Sequence, residues 1–505
     1  MNTLTFSGVS GVLVLAAYAV IMLAIGWWAG RGTTSTSARS YYLSGSGLGF
    51  VALFFTLYAT QYSGNSIVGY APEAYRSGFS WWQSVPFMVA VIAAYLLFAP
   101  RLYVVAKREG FITPTDWVRH RFGSGKLTIL VAVLMLWGLA NYLLEQLVAM
   151  GQGIAGLTGT TVPYEIGVIA FVLVMLAYSW SGGMRAVALT DVMQGIALLV
   201  GIAVLLFGAL YLVGGDVTGV TTALAETDPE KVAVPEAATS VEWLSMIVMI
   251  GLGAAVYPHA IQRIYAARSE RTLKRSLAVM AWMPLLTTAV VFVVGIVGTQ
   301  LFPGLSEDDS EQLVGMIANQ VAGINVVFYL MMILLFGGVV AAIVSTADSA
   351  LLAFSSVVSR DIYGRHVNPD APEKRQVLVG KIAGVVAVAI LLVLAWNPPG
   401  TLYEIFVLKF ELIVQLAPVF MLGLYWRRMA SGPAFWGMLA GALIAGGLTV
   451  VGLDDFGGVP GGLLGLAVNV AICVFGSLLV GRPDDGPDED PMSPEPAAAG
   501  AGRSS

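Results

Sequence analysis

Charge is what this chain has least of. Only 11% of its 505 residues are Asp, Glu, Lys or Arg, where a soluble globular domain carries about 25%. That shortage excludes a soluble domain of this length. Cysteine is nearly absent too. Cys473 is the only one, so neither an intrachain disulfide nor a cysteine metal centre can form. Histidine is scarce, and His259 has no second His or Cys near it in sequence. It reads as a hydrogen-bonded residue rather than a metal ligand. No phosphate-binding loop, zinc motif or nucleophile elbow occurs, which leaves ATP drive without support and argues against an enzyme. The opening MNTLTFSGVS lacks a basic n-region. The apolar run that follows is long for a signal-peptide core and reads as a first membrane helix.

What is present is apolar. Hydrophobic residues make up 57% of the chain, and the mean hydropathy is +0.80. The apolar residues fall in runs of helical length, not in alternating ten-residue strands, which predicts an all-α polytopic membrane protein. Thirteen spans are expected, near 8–30, 48–75, 80–106, 126–156, 163–180, 187–213, 242–267, 274–301, 322–360, 376–396, 402–426, 432–452 and 460–480. With the N-terminus outside and the C-terminus in the cytoplasm, 23 of the 26 Lys and Arg residues fall on the inner side, the bias that positive-inside sorting produces. The segments 214–241 and 302–321 are polar or acidic outer loops. The tail 481–505, rich in Pro, Asp and Ala, is expected to be disordered and is short for a catalytic or signalling domain.

One stretch concentrates polar chemistry inside this apolar chain: Ala341 to Tyr363, AAIVSTADSALLAFSSVVSRDIY. On a helix Ser345, Asp348, Ser349 and Leu352 share one face, at i, i+3, i+4 and i+7. A carboxylate and hydroxyls are costly in lipid, so they should face a partner or a water-filled cavity. Grouped hard oxygen ligands suit a small hard cation better than a transition metal, which suggests Na+.

Two other spans carry polar interruptions. The second contains Thr60-Gln61-Tyr62-Ser63-Gly64-Asn65-Ser66, and the seventh contains Tyr257-Pro258-His259, where proline removes a helical hydrogen bond. The two lie five spans apart. Broken helices at matching positions in two halves point to inverted repeats with a binding site at the midplane. The repeats would be 48–213 (spans two to six) and 242–426 (spans seven to eleven), flanked by 1–47, the outer loop 214–241, the two C-terminal spans in 427–480, and the tail 481–505. Two unrelated kinks are the plain alternative, but kinks alone do not call for polar clusters.

Three stretches resemble the sodium:solute symporter family. The run from Ser181-Gly182-Gly183 through Thr190-Asp191-Val192-Met193-Gln194 is similar to that family's GG…TD-x-x-Q signature. The Ser345-Thr346-Ala347-Asp348-Ser349 stretch resembles it as well. Tyr257-Pro258-His259 followed by Gln262-Arg263 is similar to its proline and monocarboxylate members. The resemblance covers residues 1 to about 480. It implies a leucine-transporter-like fold with five-plus-five inverted repeats, and sodium-driven uptake of an organic solute.

Carried over residue by residue, the resemblance implies a sodium site built from backbone carbonyls of Ala59, Tyr62 and Ala342 and the hydroxyls of Ser345 and Thr346. It also implies a candidate second cation site at Asp191, Ser345, Asp348 and Ser349. Asp348 stands where some members carry serine, so that site is either more acidic or takes a proton. Gln61 stands where proline permeases carry aspartate, which argues against a proline permease. The polar residues at the two breaks and on the facing stripe of the fourth span, namely Gln61, Tyr62, Asn65, Glu145, Tyr257 and Gln262, are the candidate substrate contacts. Glu145 either lines the cavity or pairs with a basic residue at a helix interface. Lys409 and Glu411, two apart, do not face each other and are not taken as substrate contacts.

The expected activity is secondary transport in the cell membrane, coupling Na+ entry to uptake of a small organic solute by alternating access. A helix N-terminus at the break favours a carboxylate, hence an amino acid or a monocarboxylate over a sugar. The alternatives are a proton-coupled symporter, a transporter-like sensor, a channel or a membrane-embedded enzyme. The expected partners are a small-molecule solute and membrane lipid, without nucleic acid.

Overall fold

The computed structural model describes residues 38–480 except 159–160, 399, 452 and 454–455, and residues 12–24 except 14, 18 and 22. Only the backbone is described at 38, 40, 65, 156–157, 178–183, 185–186 and 341. Most of the first expected span and all of the tail lie outside these residues. Among the described residues every regular element is helical, and an isolated parallel bridge joins Leu48 and Ala267. Among the described residues ten helices are long and apolar enough to cross a membrane, and Phe50–Gln61, Tyr164–Ala177 and Leu313–Ala322 are shorter apolar helices. Large apolar side chains such as Leu97, Leu173, Val393 and Phe475 are mostly exposed around the outside. A soluble monomer rarely tolerates so much apolar surface, and a bilayer covers it.

Eight helices position the site: α1 (Phe50–Gln61), α2 (Ser84–Glu109), α3 (Gly125–Leu157), α4 (Tyr164–Leu212), α5 (Ala237–Ala255), α6 (Pro258–Ala266), α7 (Val326–Ser356) and α8 (Leu402–Ile413). The second expected span stops at Gln61, and helix resumes at Asn65–Val68. The seventh stops at Ala255 and resumes at Pro258, the first residue of α6. There proline needs no intrahelical donor, so it opens the new segment instead of kinking an old one. Gly64 lets the first break press onto α7. A Cβ at Gly64 would lie 2.0 Å from Cγ1 of Ile343. Farther along α7, Gly338 abuts the backbone of Ala197 and Leu198 in α4, the close approach that small residues allow between membrane helices.

Three boundaries differ from the sequence reading. Spans five and six were drawn with a turn at 181–186, yet helical backbone runs unbroken through the 49 residues of α4. The expected turn holds Ser181-Gly182-Gly183 and no proline, and glycine weakens a helix without forbidding it. The outer segment 302–321 was drawn as a polar loop, but from Leu313 to Ala322 it forms a largely buried helix. The ninth span begins only at Val326, where Asn325 Oδ1 accepts from the backbone N–H groups of Val327 and Phe328 at 2.9 and 3.1 Å, an N-cap.

Candidate functional site

The break after α1 is the centre of the site. Tyr62 caps α1, its N–H donating to the Tyr58 carbonyl at 2.8 Å. One turn back, the Ala59 carbonyl accepts the Thr346 hydroxyl at 2.9 Å. That contact joins two of the five residues expected around sodium. The other three, Tyr62, Ala342 and Ser345, are buried as well.

Ser345 turns elsewhere. Its hydroxyl donates to Oδ1 of Asp191 on α4, while Oδ2 of Asp191 accepts from the Thr56 hydroxyl. Three helices therefore converge on one buried carboxylate. The charge that balances it is Arg263, whose Nη2 lies 4.0 Å from Asp191 Oδ2 with both side chains fully buried. Arg263 Nε donates to the Thr56 carbonyl at 3.1 Å and to its hydroxyl at 3.0 Å. Nη1 donates to the His259 carbonyl at 2.9 Å, and Nη2 donates to the Ser349 hydroxyl. One guanidinium thus ties α1, α4, α6 and α7 together. Burying a charge in an apolar bundle is tolerated only with such pairing.

The sequence reading missed this role. In sequence Arg263 lies near the end of the seventh expected span, 242–267, with no partner in view. The available signal was its place four residues after His259 on one helical face. The four residues expected around a second cation are all buried, in the region where Arg263 meets Asp191 and Ser349. The Asp348 carboxyl is within electrostatic reach of Asp191.

The candidate substrate contacts divide. Gln61 Nε2 donates to the Tyr95 hydroxyl at 2.6 Å, and that hydroxyl donates to the Ala254 carbonyl at 3.3 Å. This chain spans from the end of α1 to the end of α5, from one break to the other. Tyr142 on α3 donates to the Thr60 carbonyl at 2.9 Å. Its ring stacks with Tyr257 and His259, with centroids 5.3 and 5.1 Å away. Glu145 forms an ion pair with Lys409 on α8, both side chains fully buried. Of the two readings of Glu145, pairing with a basic residue is therefore realised, and the pair lies beside Tyr142 and Tyr257 rather than at a remote interface. Gln262 stands apart, its Nε2 donating to the Ser356 hydroxyl at 2.7 Å. The side chain of Asn65 lies outside the described residues.

Two helices broken at their polar clusters, meeting over buried charges inside an apolar bundle, define a multi-pass membrane transporter of small solutes. The chain belongs to the sodium:solute symporter family, whose pattern matches residues 41–441. The sodium/pantothenate symporter of Escherichia coli (strain K12) is 27% identical over 464 residues, covering 89% of this chain and 92% of that one. The osmoregulated proline transporter OpuE of Bacillus subtilis (strain 168) is 27% identical over 486 residues, covering 94% and 95%. These relatives are named as transporters, not as enzymes. Among solved structures, a Na+-coupled sialic acid symporter in a substrate-bound outward-open state superposes with a TM-score of 0.77 at 19% identity. It covers 94% of this chain and 99% of that one. A closed nucleobase-cation-symport-1 family transporter gives 0.51 at 15% identity, covering 87% and 95%. The fold is thus that of known cation-coupled transporters.

Proposed function

We propose that this protein couples Na+ entry to uptake of a small organic solute, an amino acid or a monocarboxylate, by alternating access between two inverted repeats. The N-terminus is outside and the C-terminus is in the cytoplasm. The observation that carries this reading is the contact of Thr346 with the Ala59 carbonyl at the α1 break. An unwound segment frees backbone carbonyls, and a hydroxyl helix beside it completes a set of hard oxygen ligands for Na+. Ala59, Tyr62, Ala342, Ser345 and Thr346 form that set. Asp191, Ser345, Asp348 and Ser349 form the candidate set for a second cation. Gln61, Tyr62, Asn65, Glu145, Tyr257 and Gln262 are assigned to the solute side.

The energetics suit accumulation. One Na+ entering down about 100 mV releases roughly 2.3 kcal/mol, and a tenfold Na+ ratio adds about 1.4 kcal/mol. Together they concentrate a neutral solute by a few hundredfold on the scale of about 1.4 kcal/mol per decade. The test is uptake into proteoliposomes under an imposed sodium gradient, run beside an imposed proton gradient. Accumulation driven by sodium alone supports the reading. Accumulation driven only by the proton gradient makes the protein a proton symporter instead, and uptake that never exceeds equilibration makes it a channel.

A further inference from the structure

The Lys409 ammonium is the least expected group in the bundle. It sits within α8, fully buried, and its one hydrogen-bonded partner among the described residues is Oε2 of Glu145. Four rings surround it: Tyr142 at 4.2 Å, Phe406 at 4.5 Å, Phe410 at 5.3 Å and Tyr257 at 5.7 Å from ring centroid to Nζ. Ring faces stabilise a cation, but they are poor substitutes for oxygen acceptors. An ammonium has three N–H donors, and Glu145 takes one. Around it, the Tyr257 hydroxyl and both ring nitrogens of His259 are buried without a hydrogen-bond partner among the described residues. Buried polar groups are ordinarily satisfied. A charged pair also offers little stability that apolar side chains of similar volume would not. Unused donors, orphaned polar atoms and a buried pair therefore meet beside both helix breaks, where a solute would bind.

We infer that Lys409 is the anchor for the carboxylate of the transported solute, with Glu145 as its resting partner. The Tyr257 hydroxyl supplies a second donor to that carboxylate. When the solute enters, Glu145 is left to accept from an N–H or O–H next to the carboxylate, and the four rings take the apolar body. The solute class is therefore a small organic acid with a neighbouring donor. This rests on the reading of the chain as a solute symporter and adds the residue that selects the solute.

The test uses the purified full-length protein and its thermal unfolding midpoint in sodium or potassium, titrated with L-proline, D-pantothenate or L-lactate. Each acid is compared with its uncharged counterpart: prolinamide, panthenol or lactamide. At least one acid should stabilise the native protein in sodium, with its counterpart at least tenfold weaker. In the double variant E145Q/K409Q, which leaves no lone buried charge, that preference should fall to near parity. If the double variant does not fold, K409R serves in its place. It keeps the charge but moves it, and should narrow the preference for the acid over its counterpart at least tenfold. The inference is overturned if no acid stabilises the native protein, if the counterparts bind as well as the acids, or if the substituted protein keeps the preference. Stabilisation by sodium without solute is read in the same experiment. Its absence would count against the sodium reading while leaving the acid preference to be judged separately.

Discussion

The Thr346 hydroxyl reaches the carbonyl of Ala59 across 2.9 Å, joining the polar helix α7 to the end of α1. Ser345, next to Thr346, instead bonds Asp191 on α4. Neighbouring hydroxyls thus serve two adjacent groups, the α1 break and the buried carboxylate. Replacing both, Ser345→Ala with Thr346→Ala, should raise the sodium concentration for half-maximal uptake by well over tenfold. The fold should survive, because α7 keeps its apolar faces, the lost Thr346 bond contributes only about 1 kcal/mol and the lost Ser345 bond to the Asp191 carboxylate about 1.5–3 kcal/mol. Sodium-dependent uptake in reconstituted vesicles measures this, and unaltered sodium dependence would refute the assignment of the two hydroxyls.

Asp191 and Arg263 invite a different substitution. Removing one partner of a buried pair strands the other, at a cost of about 3–5 kcal/mol. Arg263→Gln should therefore lower the unfolding midpoint markedly. The double change Asp191→Asn with Arg263→Gln should recover most of that loss. Additive losses in the double variant would mean the two groups are not coupled. The same series reports on cations. Asp348→Ala, or the double change Asp191→Asn with Arg263→Gln, should lower the number of cations moved per solute while leaving some uptake, as read from charge-to-solute stoichiometry.

Much of this arrangement is written locally in the chain. Pro258 and the polar cluster from Thr60 to Ser66 are signals that a short window contains, so both breaks are readable from sequence. The one-face spacing of Ser345, Asp348 and Ser349 is equally local. Arg263 is not. A cation at the end of an apolar run looks the same whether it enters solvent or turns inward, and counting basic residues assigns it to the loop. Lys409 and Glu145 are 264 residues apart, and only the packing of α8 on α3 brings them together. The unbroken α4 and the buried helix within the outer segment 302–321 were missed because glycine pairs and scattered polar residues resemble turn signals.

Topology can be tested with the chain's own scarcity of thiols. Cys473 is buried, so Cys473→Ser should be mild and leave a cysteine-free background. Single cysteines placed in the tail should then resist membrane-impermeant maleimide in intact cells and react after permeabilisation. Cysteines placed in 214–241 should react without permeabilisation. The opposite pattern would invert the proposed orientation.

The contact between Gly64 and Ile343 carries the last prediction. A methyl at Gly64 would lie 2.0 Å from Ile343 Cγ1 and 2.6 Å from Cδ1, far inside van der Waals separation, so the Ile343 side chain, the break or α7 must shift. Overpacking of this kind typically costs about 1–3 kcal/mol. Here it also displaces α7, which carries Thr346, relative to α1, which carries the Ala59 carbonyl. Gly64→Ala should therefore weaken sodium binding more than it lowers the unfolding midpoint. Trimming the neighbour should relieve it: Ile343→Ala with Gly64→Ala should regain much of the sodium affinity, while Ile343→Ala alone leaves a small cavity and loses stability. Sodium titrations of the three variants, each beside its unfolding midpoint, measure the coupling. Equal sodium affinity in Gly64→Ala and the native protein would show that the break tolerates displacement and that sodium binding does not depend on this contact.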